Sequence, residues 1–77
     1  MISLEQAEKG IPLRVMRIQE SDLKVKLFEM GLYAGQEITV VGRAPFGDPI
    51  AVNLGNSVLA MRRSEAKLVQ VEPLSVP

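Results

Sequence analysis

The constraint that bears hardest on this chain is that its 77 residues contain neither cysteine nor histidine. A chain this short buries roughly 60% of its unfolded surface. One apolar core of that size seldom supplies more than ~3–5 kcal/mol. Small domains usually add disulfides or a structural metal, and the missing residue types remove the disulfides and the common metal ligands. Regular packing remains, assisted by a partner or by self-association. Hydrophobic residues make up 47% of the chain, enough for a globular core, and a single domain over residues 1–77 follows, with 73–77 as a frayed tail.

Nine basic and nine acidic residues cancel. Tight nucleic-acid binding needs clustered Lys and Arg to neutralise phosphates, so no nucleic-acid partner is expected. The balance gives no steering toward anionic lipid either. No run approaches the ~18 apolar residues of a spanning helix, and direct membrane insertion is not expected. Met1-Ile2-Ser3-Leu4-Glu5 lacks the basic region and apolar run of a signal peptide, so the expected location is the cytoplasm.

Local signals divide the chain into short elements. Ser3 and Gln6 fit a capping box for a helical turn ending at Lys9-Gly10. After Pro12, the run Leu13 to Ile18 predicts a bent strand, because both of its faces mix apolar and basic residues. Ser21-Asp22 opens a helix to Met30, Gly31 ends it, and Leu32 folds back on its last turn. Period-two alternation then starts: Ile38 and Val40 point one way, Glu37, Thr39 and Arg43 the other. Pro45-Phe46-Gly47-Asp48-Pro49 punctuates a turn, Gly55-Asn56 fits a tight hairpin, and Ser64-Glu65-Ala66 reads as one capped helical turn before a last strand through Val69 and Val71. Mainly β structure follows: a small SH3-like barrel of about five strands, with a helix after the first strand and a one-turn helix before the last. An OB-fold is the rival, but its helix usually separates the third and fourth strands, where this chain has only Gly55-Asn56.

Chemistry is scarce. With no histidine, none of Ser3, Ser21, Ser57 or Ser64 can have an imidazole base, and catalysis is not expected. Glu20 and Asp22 form the nearest carboxylate pair, but a helix start favours carboxylates without any metal. Gly31 and Gly35 lack the Gly-Lys-Ser/Thr continuation of a phosphate loop and lead into a strand. Arg62-Arg63, with Arg14, Arg17 and Arg43, suggest at most an RNA patch or, more simply, charged cover for strands. The helix is more informative. At 100° per residue, Leu23, Leu27 and Met30 share a core-facing sector, while Val25 and Phe28 fall nearly opposite. Either Phe28 folds under Tyr33 or the 45–49 turn, or Val25 and Phe28 form a partner-binding strip with Leu27 beside them. A self-association interface could use the same face.

The stretch Leu27-Phe28-Glu29-Met30-Gly31-Leu32-Tyr33-Ala34-Gly35-Gln36-Glu37-Ile38 resembles the helix-to-strand signature of the FeoA family. Pro45 to Ile50 is similar to that family's Pro-x-Gly-Asp-Pro hairpin, and Leu59 to Ala66 to its strand before the final turn. Carried over by matching position, the signature residues are Met30, Gly31, Leu32 and Gly35 at the helix end, and Gly47, Asp48 and Pro49 in the hairpin. The resemblance implies a cytoplasmic accessory of bacterial ferrous iron uptake, recruited to the inner face of the membrane by a FeoB-type GTP-binding transporter. Its alternative is a regulatory module related to metal-dependent repressors. Transition-metal binding is also implied, but no ligand set is evident and no cofactor is assigned.

Overall fold

Hydrophobic alternation gathers six short strands into one antiparallel sheet. The structure, a computed structural model, describes residues 1–74. Its strands are β1 (Ile2–Ser3), β2 (Pro12–Ile18), β3 (Glu37–Arg43), β4 (Ile50–Asn53), β5 (Val58–Met61) and β6 (Val69–Pro73), in the spatial order β1-β6-β2-β3-β4-β5. Helix α1 (Leu23–Glu29) follows β2, and the single-turn helix α2 (Arg63–Ala66) precedes β6. This is the SH3-like barrel expected from the sequence, extended by the two-residue β1.

The mixed pattern of β2 has a specific cause. Val15 pairs with Val71 and Arg17 with Gln70, so Met16 is an extra residue, a β-bulge. Before it, Leu13 and Val15 point inward. After it the phase shifts by one, and Ile18 returns to the core in place of Arg17. A second bulge sits at Val41, between the pairs Val40–Val52 and Gly42–Ala51. Both bulges bend the sheet, which lets so small a barrel wrap its inner residues. Those include Leu13, Val15, Val40, Val52, Val69 and Val71, with Leu4, Leu27, Leu32 and Ala66 covering the ends.

Arginines help close the barrel. The Arg43 guanidinium donates to the carbonyls of Glu5 (2.8 Å) and Ala7 (2.7 Å), tying the N-terminal segment to β3. Arg63 donates to the Glu5 carboxylate at 2.9 Å, joining that segment to α2. Arg14 pairs with Glu37 across strands at 3.5 Å. Each of these three charges is engaged within the protein, as cover for strands and chain ends.

Three sequence boundaries need correction. The first helical turn is a 3-10 turn over Leu4–Gln6 and stops before Lys9-Gly10, although Gln6 does accept from the Ser3 N–H at 3.1 Å. Helix α2 begins one residue before Ser64 and is capped at Arg62. The expected fraying of 73–77 fails for its first two residues. Pro73 pairs with Leu13 in β6, and the Leu74 N–H donates to the Pro12 carbonyl at 3.0 Å. Residues 75–77 lie outside the described part.

Candidate partner-docking site

Helix α1 ends as the sequence predicts, and its end builds one wall of the site. Gly31 takes φ +99°, the Gly31 N–H donates to the Phe28 carbonyl at 3.0 Å, and the Leu32 N–H reaches back to the Leu27 carbonyl at 3.0 Å. These two bonds and the left-handed residue make a Schellman motif, which swings Leu32 under the helix and into the core. The following loop is stapled by Gln36. Its amide donates to the Gly31 carbonyl (2.8 Å) and accepts from the Tyr33 N–H (3.2 Å). The Gly35 N–H then binds the Val15 carbonyl at 2.7 Å, anchoring the loop on the bulged strand.

The two faces of α1 separate as the helical angles require. Leu27 is 0% exposed, so its expected membership of the contact strip is corrected: it holds the helix on the barrel. Leu23 and Met30 flank it half-buried. Val25 and Phe28 are 65% and 66% exposed, far above what a folded-under Phe28 would show. Phe28 nevertheless shares a cavity with Tyr33. That groove, about 400 Å³, runs between α1, the β2 bulge and the 31–35 loop, with Met16, Ile18, Phe28, Leu32 and Tyr33 as its apolar lining. The 45–49 turn takes no part in it.

Arg17, Glu20 and Lys24 complete the lining of the groove. Lys24 and Glu20 form an i,i+4 pair, and the Lys24 ammonium bonded to Glu20 holds that carboxyl below its ordinary range. On the other flank the Lys26 ammonium lies 3.2 Å from Glu65, a residue only 4% exposed. Glu65 is held below its ordinary range first by accepting the Arg62 N–H (2.8 Å), then by Lys26. It therefore caps α2 and steadies α1 together. A carboxyl depressed in the fold contributes stability above its unfolded value, near 4.5, and loses that contribution as pH falls through the folded value. Acid titration of unfolding should show this loss below the ordinary carboxylate range. Glu65→Gln should flatten it, and an unchanged profile would remove Glu65 from the account.

The hairpin signature residues stand away from the groove. Gly47 has φ +83°, and its N–H donates to the Ala44 carbonyl at 2.7 Å. Asp48 accepts the Arg63 N–H at 3.2 Å, and the Asp48–Pro49 peptide is cis. Their work is to shape the β3–β4 turn and seat it on α2. Sequence reasoning missed Met16 and Tyr33 as groove residues. The signal was available in the broken alternation at Met16-Arg17, where a bulge turns Met16 outward.

Among the described residues no three His, Cys, Asp or Glu side chains gather as a metal would require. No helix among them is long and apolar enough to cross a membrane.

Comparison with known proteins bears on the same features. The FeoA domain family model matches residues 2–73. Iron(II) transport protein A from Clostridium thermocellum superposes with a TM-score of 0.89 at 39% identity, over 95% of this chain and 46% of that one. This chain thus spans about half the length of that relative. A FeoA-like protein from Clostridium acetobutylicum matches with a TM-score of 0.89 at 40% identity, over 99% of this chain and 90% of its own. FeoA of Stenotrophomonas maltophilia, described as a prokaryotic SH3 domain protein complexed with zinc, matches at 0.78 and 28% identity over 94% and 91%.

Proposed function

From the premise that this chain belongs to the FeoA family, we propose that it is an accessory protein of bacterial ferrous iron uptake. It acts by docking on the cytosolic part of a FeoB-type GTP-binding membrane transporter, which recruits it from the cytoplasm to the inner face of the membrane. The observation that carries the reading is the paired exposure of Val25 and Phe28 beside an apolar groove. Aromatic side chains next to a recess are the usual anchors of protein contacts. Here they sit on a helix that Leu27, Leu32 and the Schellman turn hold rigid, so little ordering entropy opposes docking.

The test is a binding titration against the isolated cytosolic domain of such a transporter. Val25→Ser with Phe28→Ser should weaken binding at least tenfold, about 1.4 kcal/mol. Its melting temperature should stay near that of the parent, because both side chains already face solvent. Undiminished binding would show that contact lies elsewhere.

The zinc of the Stenotrophomonas maltophilia protein is not carried over. This chain has no cysteine or histidine, and its described carboxylates do not gather, so the residues present do not fit such a site. Dialysis against Zn²⁺ or Fe²⁺ should accordingly leave no stoichiometric metal on the protein.

A further inference from the structure

The sheet has a free edge at β5, a strand four residues long. The Leu54 N–H donates to the Ser57 carbonyl at 2.8 Å, which makes Leu54–Ser57 a hydrogen-bonded pair at the head of the β4–β5 hairpin. Hydrogen-bonded and non-bonded pairs alternate along an antiparallel ladder. Given the register Asn53–Val58, Val52–Leu59, Ala51–Ala60 and Ile50–Met61, the N–H and C=O of Leu59 and Met61 face β4. Those of Val58 and Ala60 face away from it. No hydrogen bond reaches either group from elsewhere in the described residues, Val58 is 62% exposed, and β5 is the last strand of the sheet.

Folded proteins normally guard such an edge with lysine, proline, a bulge or a covering segment. Strand β5 reads Val58-Leu59-Ala60-Met61, with no charge, no proline and no register shift in its ladder. The other edge, β1, is two residues long and offers far less.

We infer that β5 is a homodimer interface, pairing antiparallel with β5 of a second copy about a two-fold axis at Leu59. In that register Val58 lies opposite Ala60 of the other copy and Ala60 opposite its Val58, so the outward N–H and C=O groups form four reciprocal hydrogen bonds. A large side chain meets a small one at both pairs, and no like charges are opposed. Arg62 falls opposite Asn56 of the other copy, an uncharged neighbour. This self-complementarity selects a second copy over a foreign strand. The contact is closed, uses none of the residues that line the groove, and does not rest on the docking proposal.

Sedimentation velocity of the full chain across a concentration series tests the inference. A reversible monomer–dimer equilibrium is expected. Ala60→Pro removes the outward N–H without breaking a bond to β4, and should raise the dissociation constant at least tenfold. Should circular dichroism show that this variant fails to fold, Val58→Lys places a charge on the same edge and carries the test. Val25→Ser with Phe28→Ser should leave dimerisation unchanged. A protein monomeric at every concentration overturns the inference, and so does a dimer unaffected by both edge variants. Loss of the dimer in the Val25/Phe28 variant would move self-association to the helix. Loss of transporter binding in Ala60→Pro, with no dimer in the parent, would assign the edge to a foreign strand.

Discussion

Leu27→Ala is expected to leave most of this protein unfolded at room temperature. Truncating a fully buried leucine costs ~2–5 kcal/mol, the lost transfer energy plus the cavity left behind. A domain of 77 residues without disulfides holds only ~3–5 kcal/mol in total. The cost here belongs in the upper part of that range, because the site cannot collapse. Leu27 sits at 0% exposure between the barrel end and Leu32, and its own carbonyl accepts the Met30 and Leu32 N–H groups that close the helix. The backbone around the cavity is therefore tied from both sides. Leu27→Met, which keeps the volume, should cost under ~1.5 kcal/mol and separate packing from any special need for leucine. Urea unfolding followed by circular dichroism gives the comparison. A midpoint for Leu27→Ala close to that of the parent would mean that α1 is not anchored through this side chain. Phe28→Ser, one residue along the same helix, should barely move the midpoint.

That contrast was legible in the sequence, and the reason is geometric. Residues four apart on a helix share a face and residues at Val25 and Phe28 fall across from it, so angle alone separates anchor from spare surface. The Schellman turn was legible for a similar reason: only glycine is at ease at positive φ, and Gly31 follows the last helical residue. Other features depend on through-space partners that no local pattern encodes. The bulge at Met16 disturbs alternation visibly, but which residue is the extra one depends on the register with β6. Arg62 does not look like a helix cap. It serves as one because Glu65 turns back to its N–H while also meeting Lys26, 39 positions away in the chain. The groove belongs to this second class, since Met16, Phe28 and Tyr33 come from three separate elements. The N-terminal clamp by Arg43 is likewise a contact across the barrel, and it accounts for an arginine that composition alone would offer to nucleic acid.

The two loop glycines allow the helix end to be tested without touching the docking strip. Gly31 and Gly35 have nearly the same backbone angle, φ +99° and +92°, but different surroundings. An added Cβ at Gly35 would meet nothing within 4 Å, whereas at Gly31 it would lie 3.4 Å from Cδ1 of the buried Leu54. Gly35→Ala therefore reports the cost of holding an L-residue in the left-handed region, roughly 1–2 kcal/mol. For a domain of this size that is a fall in melting temperature of about 4–8 °C per kcal/mol. Gly31→Ala should cost the same plus whatever displaces Leu54, and so melt below Gly35→Ala. The ordering matters more than either value. If the two variants melt together, Leu54 moves aside freely and the helix end is held by its hydrogen bonds alone. If Gly31→Ala melts lower and also weakens transporter binding while Gly35→Ala does not, the Schellman turn is what aims Phe28 at the partner, and the rigidity of α1 is part of the docking mechanism.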